Sequence, residues 1–449
     1  MKNKLSAWML LGILSGSLYG QTGSINNTLG TAGTFTIKDG STTFLSLSQS
    51  TGYLSLSKSL TFPVTTGSTL GVIFKGTDRF IHDYKPSGND GFNTFVGLNS
   101  GNFTMTGGNT FSASYNTAVG ISSLTALTTG YMNSAFGVNT LYSSTTGYHN
   151  SAFGFSSLSS NITGFSNSAF GHQSLIYNTS NNNSAFGTNS LYSNTTGTDN
   201  SAFGMHSLFT NTTGAANSAF GYQSLYFNTG NTNAALGYQS LYSNTGNENS
   251  AVGVFAGYNL TTGSNNTFIG FNARPSIDTV SNEITLGNSN IVRLRCQVAS
   301  ITALSDARDK TNVKDLSLGV NFLMKLRPRE FNWDQREWYE DGKPNGSQMQ
   351  KQPTAGFIAQ ELDEVQTKEH AEWLNLVLKA NPDRLEATPG NLLPIMVKAI
   401  QELKAENDRL CTEVIKLRAS VSEQVKEEVR RVLLKTVQSG ETDTKVSLN

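Results

Sequence analysis

Side chains able to do chemistry together are sparse in this 449-residue chain. A glycosidase-type reaction needs two carboxylates facing one cleft. Asp199 and Glu248 are almost the only acids within the regular repeats, and they stand three repeats apart. His149, His172 and His206 occur singly at turn positions that do not correspond. A metal site wants clustered ligands, so surface histidines, and neither metal nor cofactor, are expected. The recurring Asp of calcium-binding nonapeptide repeats is missing. After residue 300 one short sequence differs: Ser305-Asp306-Ala307-Arg308-Asp309-Lys310. A serine hydroxyl becomes a strong nucleophile when a neighbouring base takes its proton. A lysine can be that base only while uncharged, which takes burial or a nearby positive charge; Arg308 is close in sequence. By itself, a serine and a lysine five apart is a pattern any charged turn produces.

The chain around these residues is two materials joined near residue 300. Formal net charge is zero, from 32 basic and 32 acidic residues, which removes the electrostatic footprint of a nucleic-acid binder. Only 14% of residues are charged, and eight of the 32 acids lie between residues 21 and 300. The 43 glycines, with abundant Asn, Ser and Thr, suit tight turns and polar strands. At the N-terminus, Lys2 and Lys4 precede an apolar core from Trp8 to Leu14 and the small residues Ser15, Gly16, Ser17 and Gly20. This reads as a signal peptide over residues 1–20, so a secreted or cell-surface protein is expected. No later run is apolar enough for a membrane span in the mature chain. Cys296 and Cys411 stand in different segments and read as two isolated, partly buried thiols.

Internal repetition is the dominant feature. N-S-A-F-G begins at Asn133, Asn150, Asn167, Asn183, Asn200 and Asn217, with variants at Asn93, Asn116, Asn233, Asn249 and Asn266. From Asn116 the step is 16 or 17 residues. Each unit holds a second motif, such as Ser190-Leu191-Tyr192, and closes on a polar turn such as Asn194-Thr195-Thr196-Gly197. Alternating runs between Asn- and Gly-rich turns predict two short strands per unit. A unit this short must stack on its neighbours to bury anything. Stacking would place Phe136, Phe153, Phe170, Phe186, Phe203 and Phe220 in one ladder, and Leu141 through Leu241 in a second; both are expected to face inward. Equivalent Asn residues should share hydrogen bonds along the axis, and the Gly after each Phe marks positive φ or close approach. Residues 21–92 are less regular and read as further short strands.

Two resemblances follow. The repeats, with Ile284-Thr285-Leu286-Gly287-Asn288 at their end, resemble the head repeats of trimeric autotransporter adhesins, which wind into a parallel β-roll. Those adhesins end in a membrane-embedded barrel, whereas this chain ends in a charged helical tail. Further on come Leu326-Arg327-Pro328-Arg329-Glu330-Phe331-Asn332-Trp333, Gly356-Phe357-Ile358-Ala359-Gln360-Glu361-Leu362, and a helix entered through Leu392-Leu393-Pro394-Ile395. With the Ser305–Lys310 segment and in this order, they resemble the intramolecular chaperone auto-processing domain of phage tail spikes and fibres. That resemblance implies Ser305 as nucleophile, Lys310 as its base, and self-cleavage between Leu304 and Ser305. Asp306, Arg308, Gln360 and Glu361 are supporting candidates, either for chemistry or for structure: Asp306 with Arg308 as an ion pair, Gln360 and Glu361 as part of a strand packed against the dyad.

The C-terminal helix repeats apolar residues at heptad spacing through Leu393, Met396, Ile400, Leu403, Asn407, Leu410, Val414, Leu417 and Val421, a coiled-coil seam. The seam breaks after Val421, and the tail from about Ser439 reads as disordered. The expected fold is mainly β: a trimeric parallel β-roll or β-helix shaft, an α+β chaperone domain, and a coiled coil. The expected divisions are 1–20 signal peptide, 21–92 irregular β region, 93–290 repeats, 291–304 linker, 305–390 processing domain, 391–438 coiled coil and 439–449 tail. The expected function is a homotrimeric, exported, adhesin-like fibre that cuts itself once per chain, with a host-cell or carbohydrate surface as ligand and no nucleic-acid partner. The alternative is an adhesin whose C-terminal domain stays attached as an inert trimer clamp.

Overall fold

A computed structural model describes residues 34–39, 42–48, 53–56, 59–291, 293–295, 297 and 303–440. The expected signal peptide, Cys296, residues 298–302 of the linker and residues 441–449 of the tail lie outside them. The fold is mainly β, with a long solenoid, few helices and a long C-terminal helix. Strands β1 (Thr34–Asp39), β2 (Thr42–Ser48) and β3 (Leu54–Leu56) form a small antiparallel sheet. Then β4 (Ile73–Lys75) and β5 (Asp78–His82) pair antiparallel, and β5 pairs antiparallel with β6 (Thr94–Val96), the first turn of the solenoid. From β6 to β17 (Ile284–Leu286) twelve three-residue strands stack parallel.

Register is fixed residue for residue: Ser134, Ala135 and Phe136 lie beside Ser151, Ala152 and Phe153, and so on up the stack. Successive side chains of a strand face opposite ways. In Ser-Ala-Phe the Ala is the inward one and is fully buried, while Ser and Phe point out. The expectation of an inward Phe ladder is therefore wrong. The opposite wall is Leu141, Leu158, Leu175 and their equivalents, all buried, with Ala facing them; in β6 and β16 (Thr267–Ile269) the inward residue is Phe95 or Phe268, and there Gly101 or Gly257 lies against the ring. The Phe rings stack along the outside, centroids 4.6–4.8 Å apart and planes within 4–9°. The second expected strand is also absent. The Ser-Leu-Tyr motif is a turn, because each Leu has a left-handed backbone, with φ of 49° at Leu141 and Leu191. Such a conformation costs on the order of 1–3 kcal/mol unless surroundings impose it; here burial of the Leu side chain imposes it.

The inner Asn ladder forms as expected. Asn150 donates its backbone N–H and its Nδ2 to Oδ1 of Asn133, each at 3.1 Å, and Nδ2 also reaches the Gly164 carbonyl at 2.8 Å. The backbone N–H to Oδ1 bond recurs up the stack to Asn266, whose Oδ1 accepts the Glu283 N–H at 2.9 Å. Glycine follows each Phe for a steric reason: at Gly137 φ is 131° and a Cβ would lie 2.6 Å from the Gly154 oxygen.

Beyond the solenoid, α1 (Val320–Leu323), β18 (Arg329–Phe331), β19 (Thr354–Gly356), α2 (Ala359–Lys368), β20 (Val377–Leu378) and β21 (Glu386–Ala387) precede α3 (Leu393–Gly440). Their small core gathers Phe322, Leu326, Leu362, Leu374, Leu376, Leu392 and Ile395. Ser439 and Gly440 belong to α3, not to the tail. Cys411 is exposed, against the expectation of partial burial. The heptad does end at Val421, but the apolar row continues through Val425, Val429 and Val432. Steps of four in that row pull the pattern toward an eleven-residue period, which unwinds a left-handed supercoil. Among the described residues no helix is long and apolar enough to cross a membrane.

At the N-terminal end of the solenoid, His82 is buried between Phe95 and Phe103. Its Nε2 lies 2.9 Å from the Ser100 carbonyl and its Nδ1 accepts the Tyr84 N–H at 3.3 Å. This arrangement uses the neutral ring. Burial pushes the imidazole pKa down to about 4, against the Ser100 bond, which raises it; the Arg79 charge adds to the lowering. The folded state therefore binds this proton less readily than the unfolded chain. Its contribution is full above about pH 6.5, is lost progressively down to about pH 4, and does not change further below. Protection factors of the β5 and β6 amides, corrected for the intrinsic pH dependence of exchange, should fall as pH is lowered through that window, and His82→Gln should flatten the dependence.

Candidate functional site

The Ser305–Lys310 segment makes a closed loop by itself. A single 3-10 turn spans Ala307–Asp309. Asp306 caps it, accepting the Arg308 N–H at 2.9 Å. The Arg308 guanidinium returns to the same carboxylate, with Nη2 at 2.6 Å from Oδ2 and Nε at 3.1 Å from both oxygens. This pair holds the Asp306 carboxyl below the usual carboxylate range. Backbone bonds from Asp309 to the Asp306 carbonyl and from Lys310 to the Ala307 carbonyl, each 3.2 Å, close the turn. Lys310 is thereby folded back: its Nζ donates to the Ser305 hydroxyl and, at 3.1 Å, to the Ser305 carbonyl. The serine and lysine that the sequence placed five apart are in direct contact.

The remaining candidates are elsewhere. Gln360 and Glu361 sit in the first turn of α2, not in a strand against the dyad. Glu361 grips Arg329 through two bonds, of 2.5 and 2.8 Å, and Arg327 lies 3.6 Å away. Arg329 holds the Glu361 carboxyl below the usual range. Among the described residues no hydrogen bond or ion pair joins Gln360 or Glu361 to the Ser305–Lys310 loop. Gln360 instead lines a cleft of about 1580 Å³ between the last solenoid turns, near Arg274–Asp278, and the C-terminal domain around Trp333, Arg336 and Arg384. One bond, Asn381 Nδ2 to the Ser276 carbonyl at 3.3 Å, crosses that junction.

The loop is open to water. Leu304 is fully exposed, and Ser305, Asp306, Arg308 and Lys310 are exposed too. The geometry of a nucleophile with its base is present, but none of the described residues encloses it. Among the described residues no cluster of three His, Cys, Asp or Glu side chains could hold a metal.

The spacing of Ser305, Lys310 and the later motifs can be set against known proteins. Residues 305–370 match the peptidase family described as chaperone of endosialidase. The match begins at the serine and ends just after α2, so it covers the dyad loop, β18, β19 and Glu361. It lies directly C-terminal to the solenoid, where the sequence places an intramolecular chaperone domain. No curated protein and no solved structure matches the chain.

Sequence reasoning missed the Arg329–Glu361 pair, although both residues stand in motifs it singled out. Separation by 32 residues hides such a contact. It also missed Glu402 of α3, whose Oε2 accepts the Val320 N–H at 2.9 Å and so caps α1.

Because the Glu361 pKa is lowered on folding, its pairing stabilises the C-terminal domain above the ordinary glutamate range. That contribution is lost as pH falls through the lowered value. In the full chain, the loss of α3 helicity on heating should come earlier at pH 3 than at pH 7. Glu361→Gln should narrow that difference.

Proposed function

We propose that this protein is an exported, trimeric, fibre-like surface protein whose C-terminal domain assembles three chains and then cuts each one between Leu304 and Ser305. The observation that carries the reading is the Lys310 ammonium-or-amine group seated on the Ser305 hydroxyl, within a segment that matches a chaperone family with a peptidase name. The unpartnered seam of α3 supports assembly: Met396, Ile400, Leu403, Leu410, Val414, Leu417 and Val421 are 46–64% exposed in the single chain. Three such helices can cover one another's apolar rows. Export rests on the Lys2–Gly20 pattern alone.

The chemistry is an acyl transfer in two steps. Lys310, as the free amine, takes the proton from Ser305 Oγ. Oγ attacks the Leu304 carbonyl carbon, the Leu304–Ser305 amide bond breaks, and an ester forms between the Leu304 acyl group and Oγ. The proton passes to the departing Ser305 nitrogen. Water then hydrolyses the ester, leaving a carboxylate on Leu304 and restoring the Ser305 hydroxyl. A lysine serves as base only when desolvation or positive charge favours its neutral form. Arg308 is committed to Asp306, so its charge is largely answered. Enclosure by neighbouring chains after assembly is therefore the remaining source, which would couple cutting to correct assembly. Asp306 and Arg308 act by position, holding the turn that brings Lys310 back to Ser305.

Intact mass of the purified protein tests this. The wild type should give a body ending at Leu304 and a fragment running from Ser305 to Asn449. Ser305→Ala and Lys310→Ala should stay full length, since loss of a general base alone costs roughly 10²–10⁴-fold in rate. Asp306→Ala should cut slowly at the same bond. A Ser305→Ala chain that still yields the Leu304-ended body would overturn the reading. A full-length wild type that sediments as a trimer would favour the inert clamp.

A further inference from the structure

The position just after Leu191, Leu208, Leu225 and Leu241 forms a column of its own. It holds Tyr192, Phe209, Tyr226 and Tyr242, and Tyr258 continues it one turn on. Their rings stack with centroids 5.1–5.2 Å apart and planes within 12–16°. All five residues are half-buried. Four such steps make a row about 20 Å long. Earlier turns interrupt the column with Ser159 and Ile176. The backbone shows that Ser159 and Tyr226 stand at the same place: Ser143 N–H donates to the Ser159 carbonyl and Thr210 N–H to the Tyr226 carbonyl, each at 3.0 Å. The row therefore belongs to the C-terminal half of the solenoid and is not required by the repeat.

Stacking covers the ring faces and leaves the edges to the outside, and the edge is the positive side of an aromatic ring. Among the described residues no hydrogen bond takes the phenols of Tyr226, Tyr242 or Tyr258. A polar column runs alongside. The His206 ring lies 5.2 Å from that of Phe209 and 6.2 Å from that of Tyr226. In the next two turns that place is held by Gln223 and Gln239, where Nε2 of Gln239 donates to Oε1 of Gln223 at 2.6 Å. This leaves the Gln223 amide donors and the Gln239 oxygen uncommitted among the described residues. Between Asn93 and Ala273 the only Asp, Glu, Lys or Arg residues are Asp199 and Glu248, and both sit in the turn before a strand.

A row that recurs once per turn suits a ligand that recurs at the same step. A polyanion finds no Lys or Arg here to neutralise it. An extended peptide presents same-face side chains every ~6.6 Å, and a polyproline helix advances ~3.1 Å per residue; neither keeps step with the rings. An extended chain of β-linked pyranoses does, advancing about one sugar per turn. It is uncharged and carries oxygens along its edges. Those oxygens can accept from the phenols and from Gln223 and lie against the positive ring edges, while its hydroxyls donate to Gln239.

We infer that the Tyr192–Tyr258 row is a binding track for an unbranched, neutral, β-linked polysaccharide, one sugar unit per turn. Each turn contributes little; the row gains by repetition, because one engaged unit holds the next at high effective concentration. The inference goes beyond the self-cutting reading and does not depend on it, since the row lies within a single solenoid.

Calorimetric titration of the full chain with cello-oligosaccharides and chito-oligosaccharides tests it, from the monosaccharide to lengths beyond the row. Affinity for at least one series should climb with each added unit and level off once the oligosaccharide spans the row. Tyr226→Ser combined with Tyr242→Ser should weaken the longest binder by roughly tenfold or more, the order of two lost hydrogen bonds. Serine suits this place in the fold, as Ser159 shows. Glu248→Gln, which lies off the row, should leave affinity unchanged. The inference is overturned if neither series binds, if affinity ignores length, if the double variant binds as the wild type does, or if a poly-L-proline peptide binds as tightly as the longest oligosaccharide. None of these results bears on the cut at Leu304, which intact mass reads separately.

Discussion

A turn of 16 or 17 residues buries almost nothing alone, so each turn of this solenoid keeps its shape only while neighbours lie above and below it. The interaction that enforces this is the Asn ladder. Asn oxygens accept the backbone N–H of the Asn one turn on, most of them its Nδ2 as well, and the Asn amides close on a backbone carbonyl inside the stack. A slip by one turn would reproduce nearly the same contacts, because the units are almost identical. Register within a chain is set by connectivity, but register between chains is not. Something outside the repeats must set it, and the C-terminal helix is the element of this chain suited to that task.

The candidate site follows the same division between what is local and what must be supplied. The Asp306–Arg308 pair and the 3-10 turn bring Lys310 to Ser305 without help from the rest of the fold. Enclosure is what the described residues do not provide: against them Leu304 and the whole loop face solvent. On the proposed reading, a dyad whose geometry is ready and whose environment is not suits a single-use cut. Cutting too early would separate the body from the helix that aligns it. Cutting afterwards would leave a body stabilised kinetically, unable to regain its template once unfolded.

Much of this was legible in sequence. The repeat of N-S-A-F-G gave the solenoid, its Asn ladder and its close-packed glycines, because these depend only on periodicity and on what Asn and Gly uniquely do. The direction of the Phe side chains was not legible. Alternation along Ser134-Ala135-Phe136 allows Ala or Ser with Phe inside, and the left-handed backbone at Leu141 and its equivalents, invisible in sequence, fixes a Leu wall that takes Ala opposite it; Phe95 and Phe268 hold the inward place where Gly101 and Gly257 lie against their rings. That same backbone explains why Ser-Leu-Tyr is a turn rather than a strand. At the site, Ser305 meeting Lys310 was legible because the two are five residues apart and linked by one turn. Glu361 with Arg329 was not, since chain folding over 32 residues brings them together.

The central claim is that assembly through α3 supplies the enclosure the dyad lacks. It is tested most directly in a chain with Ile400→Asp and Leu410→Asp, which keeps Ser305 and Lys310 intact, by sedimentation together with intact mass. The account predicts a monomer that remains full length. A monomer that releases the Leu304-ended body as fast as the wild type would contradict it.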